Sequence, residues 1–323
     1  MDKFKAVANN IKKTYDENLA FLSIEEQSLY ARRMLKIHDE PKYKQPVINS
    51  LPASLLKNKP LIENFHDKRY VRQTAAKLFE TLPVFSHKRR LRKKIFANCK
   101  ETLVYIPAIH QLIYWHRLGI QGPLIDQAIN KLKKIDLSKY FADKNLLIAY
   151  AAQMVNTAYD LHELDIADYR SEVEETFHEA FPENLDNKIN KTVFRNKIYG
   201  LTHLVIASSN YYEKFIDNKK HLWILEYFEK NIEKIIKRTD IDITTEVAVS
   251  FMLHRQGNHK IVKKIKALLV ERYDAKAGII PYYKKGLGFA AHTNAIAYLL
   301  LANPKKFRQL PNFNNEFHAL LKH

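Results

Sequence analysis

Apolar residues recur at spacings of three and four along most of the chain, and alternating apolar/polar runs are nearly absent. That period lines one face of a helix, so the pattern predicts an all-α protein. Beyond residue 100 the helices fall into pairs: 101–118 with 123–134, 143–164 with 168–181, and 192–213 with 218–238, then 244–256 with 258–273 and 292–302 with 312–321. The first members start at intervals of about fifty residues, the spacing of repeated helical hairpins. Local chemistry supports the cuts. Pro123 suits a first turn, Asp143, Asp168, Thr244 and Asn258 suit N-caps, and Gly119 and Gly257 suit the position after a helix.

Before residue 100 the pattern is less regular. Ser23-Ile24-Glu25-Glu26 is a capping box, which predicts a helix to about Ile37. Pro41, Pro46, Pro52 and Pro60 then predict an extended connector, and a helix resumes over 67–81. The organisation expected is a helical lead-in over 1–100 and a helical-hairpin domain over 101–323.

The paired helices differ in character. Second members carry a charged face, as in the lysines of 260–272, whereas first members are apolar nearly all round, as in Leu146 to Ala152 and Ala295 to Leu300. A helix apolar on every side is a buried one. The pairs therefore read as inner and outer helices of an α/α toroid, with an open helical solenoid as the alternative.

Charge changes the picture of partners. The 323 residues include 53 Lys and Arg against 35 Asp and Glu, a net charge of +18, which favours anionic polymers or anionic polar substrates. The densest cationic run is Lys88, Arg89, Arg90, Arg92, Lys93 and Lys94, a place where nucleic acid could bind or simply a solvated helix face. A single cysteine, Cys99, excludes an internal disulfide and an all-Cys zinc site. No apolar run is long enough to span a membrane. The first residues lack a signal-peptide pattern, which fits a cytoplasmic protein, or a secreted or periplasmic one whose signal is no longer in the sequence.

Polar groups on the inner helices need an account, because burying them without partners costs free energy. Asn196, Tyr199, His203 and Asn210 share one stripe, and Tyr150, Gln153, Thr157 and Asp160 another. Glu246, Ser250 and His254 form a third, and His292, Thr293, Asn294 and Tyr298 open the last inner helix. If these stripes converge, His203, Tyr199, Glu246 and His292 become candidates for general acid and base work. Asn196, Arg195, Asp160, Gln153 and Asn294 become candidates for substrate binding, joined by Tyr282 and Tyr283 from the glycine- and tyrosine-containing loop 278–289. The opposing interpretation is a buried network whose members satisfy one another. No cofactor and no metal are expected. His162-Glu163 with Asp160 and Asp165 supplies donors, but no His-Glu-x-x-His and no Cys pair exists. Glycine-rich nucleotide loops and hydrolase elbows are likewise missing.

Inner and outer helix pairs with a glycine- and aromatic-containing loop before an inner helix resemble the α/α-toroid enzymes, a superfamily of glycoside hydrolases, polysaccharide lyases and cyclases. The resemblance covers about residues 100–323 and is architectural. It implies a lyase- or hydrolase-type reaction on an anionic glycan, with Asn196, Tyr199, His203 and Arg195 in the parts that alginate and heparin lyases give to such residues. The zinc-binding Cys of the cyclases is not matched, since Cys99 stands alone. Locally, Tyr199-Gly200-Leu201-Thr202-His203, Ser208-Ser209-Asn210-Tyr211-Tyr212 and His292-Thr293-Asn294-Ala295 resemble an uncharacterised bacterial helical domain family, which implies no activity. The competing expectation is a non-enzymatic basic scaffold for nucleic acid or a protein partner. Oligomeric state and substrate are not readable from the sequence.

Overall fold

The computed structural model describes residues 2–216, 219–282 and 286–320. Among them the protein is all-helical, with no strand. The helices are α1 (Lys3–Asn18), α2 (Ile24–Leu35), α3 (Lys44–Asn64), α4 (Lys68–Glu80), α5 (His87–Phe96), α6 (Thr102–Arg117), α7 (Pro123–Leu132) and α8 (Ser138–Phe141). They continue as α9 (Lys144–Glu163), α10 (Arg170–Ala180), α11 (Lys191–Ser208), α12 (Leu222–Arg238), α13 (Ile241–Leu253), α14 (Lys260–Arg272), α15 (Ala291–Ala302) and α16 (Asn314–Leu320). None of these is long and apolar enough to cross a membrane.

Two compact units form. The first comprises 1–52 and 208–311, the second 53–207 and 312–323. The border expected at residue 100 thus falls inside the second unit. Each unit is organised round one apolar helix. In the first, α15 is packed by α1, α2, α13 and α14. Ten of its twelve residues are buried, from Ala291 to Leu301, as its all-round apolar sequence requires. In the second, α9 is packed by α5, α6, α8 and α10.

Several ends follow local chemistry directly. Ser23 Oγ accepts from Glu26 N while Glu26 Oε2 accepts from Ser23 N, so the capping box is formed. Asp143 caps α9, and Pro123 opens α7. The proline connector is a correction. After a short 3-10 turn at Pro41–Tyr43, α3 runs unbroken past Pro46, Pro52 and Pro60. An interior proline costs about 3 kcal/mol. Along this helix Val47, Leu51 and Ile62 are buried, and each buried aliphatic side chain contributes about 1.5–3 kcal/mol, which offsets the lost hydrogen bonds. A second correction concerns α13. It begins at Ile241, earlier than expected, because Asp240 rather than Thr244 is the cap and accepts from Ile243 N at 3.3 Å. Likewise His259, not Asn258, caps α14.

Candidate functional site

In the first unit a charged centre forms between α13 and α15. Moving the start of α13 to Ile241 puts Asp242 one turn before Glu246, on the same face. His292, the second residue of α15, comes down between them. Its Nε2 lies 3.7 Å from Asp242 Oδ2 and 3.8 Å from Glu246 Oε1. Glu246 is only 1% exposed, so its charge needs a nearby cation, while Asp242 and His292 are half-buried. Thr293 Oγ1 donates to Asp242 Oδ1 and fixes that carboxylate.

Burial works against the charged form of His292. The Asp242 charge, the hydrogen bond to Glu246 and the Glu246 charge outweigh it and hold the imidazole above its usual pKa, with Arg33 acting in the opposite sense. Asp242, Glu246 and His292 are also the residues that could hold a divalent metal, since one ligand atom from each lies within 4.8 Å of the others.

A tyrosine and an arginine border this centre. Asn210, Tyr211 and Tyr212 all have positive φ, of 49, 53 and 73°. Left-handed backbone costs about 1–2 kcal/mol per non-glycine residue, so three in a row must be held. Ser209 holds them from within: its Oγ accepts from Tyr212 N, and its carbonyl accepts from the Glu213 and Lys214 amides. From α2, Lys36 Nζ donates to the Tyr211 carbonyl at 2.8 Å and pairs with Glu213 at 3.1 Å. The turn buries the Tyr212 ring beneath the Arg33 guanidinium, 4.3 Å from the ring centroid. Burial pushes the Tyr212 phenol up, Arg33 works against that, and the Glu246 and Asp242 charges add to it.

Other candidates in this unit hold structure together. The Asn294 carboxamide is committed to backbone groups of Ile280 and Ala290. The Tyr298 hydroxyl lies 2.6 Å from His38 Nε2, and His254 Nδ1 lies 3.0 Å from its own helix's Ser250 carbonyl. Tyr282 is half-buried, and Tyr283 lies outside the described residues.

The remaining candidates belong to the second unit. α9 breaks at Tyr150, where φ is −141° and ψ 31°. Asn196 Nδ2 donates to the Ile148 and Ala149 carbonyls just before the break. On the same face of α11, Tyr199 meets His203 edge to face at 4.5 Å. His203 Nδ1 is 2.8 Å from Asn156 Oδ1. Further along α9, Asp160 is buried and takes Arg117 Nη2 at 2.8 Å, while Arg117 also grips Glu163. Burial raises the Asp160 pKa and Arg117 opposes it. Thr157 joins the same network through His110 at 3.2 Å, and the Gln153 side-chain oxygen is buried without a hydrogen-bond partner among the described residues.

Glu246 and His292 are therefore together in one unit, and Tyr199, Arg195, Asn196 and His203 share α11 in the other. Asp242, Arg33 and Tyr212 were not among the sequence candidates. The signal for Asp242 was Asp240-Ile241-Asp242, a cap followed by a carboxylate four residues before Glu246.

The domain family designated DUF3541, a domain of unknown function, matches residues 4–322. The chain belongs to that family. For this DUF3541 chain, no curated protein and no solved structure matches. The DUF3541 match embraces both units, so the charged centre and the kinked α9 lie within one family domain.

Proposed function

We propose that this protein is an enzyme of the α/α-toroid type that moves protons on an anionic polar substrate, such as an acidic glycan, in a lyase- or hydrolase-type reaction. The observation that carries the reading is His292 held between Asp242 and the buried Glu246. An imidazole whose charged form is favoured by two carboxylates is suited to donate a proton, and the buried carboxylate is the group that can take the proton back. Arg33, beside the buried Tyr212, supplies a cation for the substrate's anionic group.

The test is a panel of acidic polysaccharides, alginate and heparin included. Elimination is read as absorbance of the unsaturated product, and hydrolysis as new reducing ends. Turnover that falls by about 10²–10⁴ in Glu246→Gln and His292→Gln supports the reading. No turnover on any member, or turnover indifferent to both substitutions, overturns it.

A non-enzymatic scaffold is the second reading, favoured by Arg89, Arg90 and Lys94 exposed on α5. It requires binding to DNA or RNA whose log affinity falls linearly with log salt.

A further inference from the structure

The kink in α9 gathers a second set of groups, independent of the His292 centre. Arg92 belongs to the basic run of α5, yet its side chain turns inward instead of joining the exposed Arg89 and Arg90. Its Nε donates to the Ala149 carbonyl at 3.1 Å, immediately before the break. Its guanidinium lies over the Tyr150 ring, 4.4 Å from the centroid. These two contacts fix the plane of the guanidinium and use one of its five N–H groups. The two terminal amino groups have no hydrogen-bond partner among the described residues, and neither is sealed from solvent.

The electrostatic setting is unusual for a half-buried arginine. Burial lowers the Arg92 pKa, and the groups that bear most on its charge are Tyr150, Tyr199, Arg195 and Arg89. No carboxylate is among them. A partly desolvated cation with further cations as neighbours lacks the counter-charge that such groups normally have. A fork already fixed in orientation also loses little freedom on meeting a planar or tetrahedral oxyanion.

We propose that Arg92, seated on Tyr150 at the kink of α9 with Arg195 nearby, anchors a binding site for an oxyanion, the phosphate, sulfate or carboxylate group of a small ligand. The two terminal amino groups donate to two oxygens of that group. Neighbouring Tyr199, edge to face with His203, adds aromatic surface along α11. The site does not rest on the acid–base reading, because it shares no residue with Asp242, Glu246 or His292.

The test is calorimetric titration of the full chain at low ionic strength with inorganic phosphate, sulfate and acetate in turn, with chloride as control. Saturable binding of one of the three oxyanions, weakened at least tenfold by Arg92→Lys and unaltered by Arg90→Gln, is the expected result. The anion bound tightest identifies the ligand group. Absence of saturable binding, or equal weakening by both substitutions, overturns the proposal, because the second outcome means diffuse charge. Should Arg92→Lys unfold, labelling of the wild-type protein with phenylglyoxal decides. Arg92 is expected to react and to be protected by the bound anion while Arg90 is not. An Arg92 that does not react, or reacts without protection, overturns the site.

Discussion

Asn294 pairs with Ile280 through both ends of its carboxamide: Oδ1 accepts the Ile280 amide at 2.8 Å, and Nδ2 donates to the Ile280 carbonyl at 2.9 Å. A side chain here does what a neighbouring strand would do. It gives a buried backbone both partners where the described residues form no sheet to supply them. Nδ2 also reaches the Ala290 carbonyl, so one residue of α15 ties Ile280 to the residue that precedes the helix.

Asn294→Ala removes these bonds and leaves the buried Ile280 groups without them. A loss of about 2–4 kcal/mol is expected, since each unsatisfied buried group costs about 1–3 kcal/mol. Urea unfolding measures it, and faster exchange of the Ile280 amide locates it.

Gly200 is packed where no larger residue fits. A Cβ there would sit 2.5 Å from Phe177 Cε2 and 2.8 Å from Ala151 Cβ. Alanine gains about 1 kcal/mol of helix propensity, but the crowding costs about 1–3 kcal/mol. Ala151 Cβ is fixed to its backbone and cannot swing away, so Gly200→Ala should lower the melting temperature.

Lys197 and Asp186 form a buried pair at 2.7 Å, with side chains 3% and 4% exposed. Removing one partner strands the other's charge, so Lys197→Met alone should cost about 3–5 kcal/mol. Lys197→Met combined with Asp186→Asn should cost less than Lys197→Met alone. A double-mutant cycle reads that difference.

His292 gives stability a pH signature. Its folded pKa lies above the ordinary 6.5 because Asp242 and Glu246 outweigh burial. The stabilisation is therefore complete below the unfolded-state value and fades as pH rises through the folded one. Wild type should exceed His292→Gln by about 1 kcal/mol at pH 5.5, a modest figure for a half-exposed group, and the gap should narrow towards pH 9.

Cys99 is buried, and burial pushes its thiol up to about 11. The native protein should react slowly with a thiol reagent at pH 8 and promptly once unfolded in urea.

The helical class, the capping box at Ser23, the Asp143 cap and the apolar character of α15 were all legible, because each depends on neighbours in sequence. α3 was not legible. Local rules for Pro46, Pro52 and Pro60 were overridden by burial of Val47, Leu51 and Ile62, which depends on tertiary contacts. Glu246 and His292 could be chosen as candidates, but Asp242 could not while the start of α13 was set at Thr244. Arg92 looked like any other cation of its run. Only the break in α9 shows which of the six turns inward.

Both compact units are built from stretches distant in sequence, and this bears on how the protein is made. α1 and α2 are made long before α15, against which both pack. Until then Ile11, Tyr15 and Tyr30, all fully buried in the finished fold, have no partners from the end of the chain. The second unit also waits, because Phe313 and Phe317 complete it. Neither unit can close one helix at a time behind the exit tunnel. Closure that waits on contacts between distant stretches is slower than closure between neighbours, and it leaves apolar surface uncovered in the meantime.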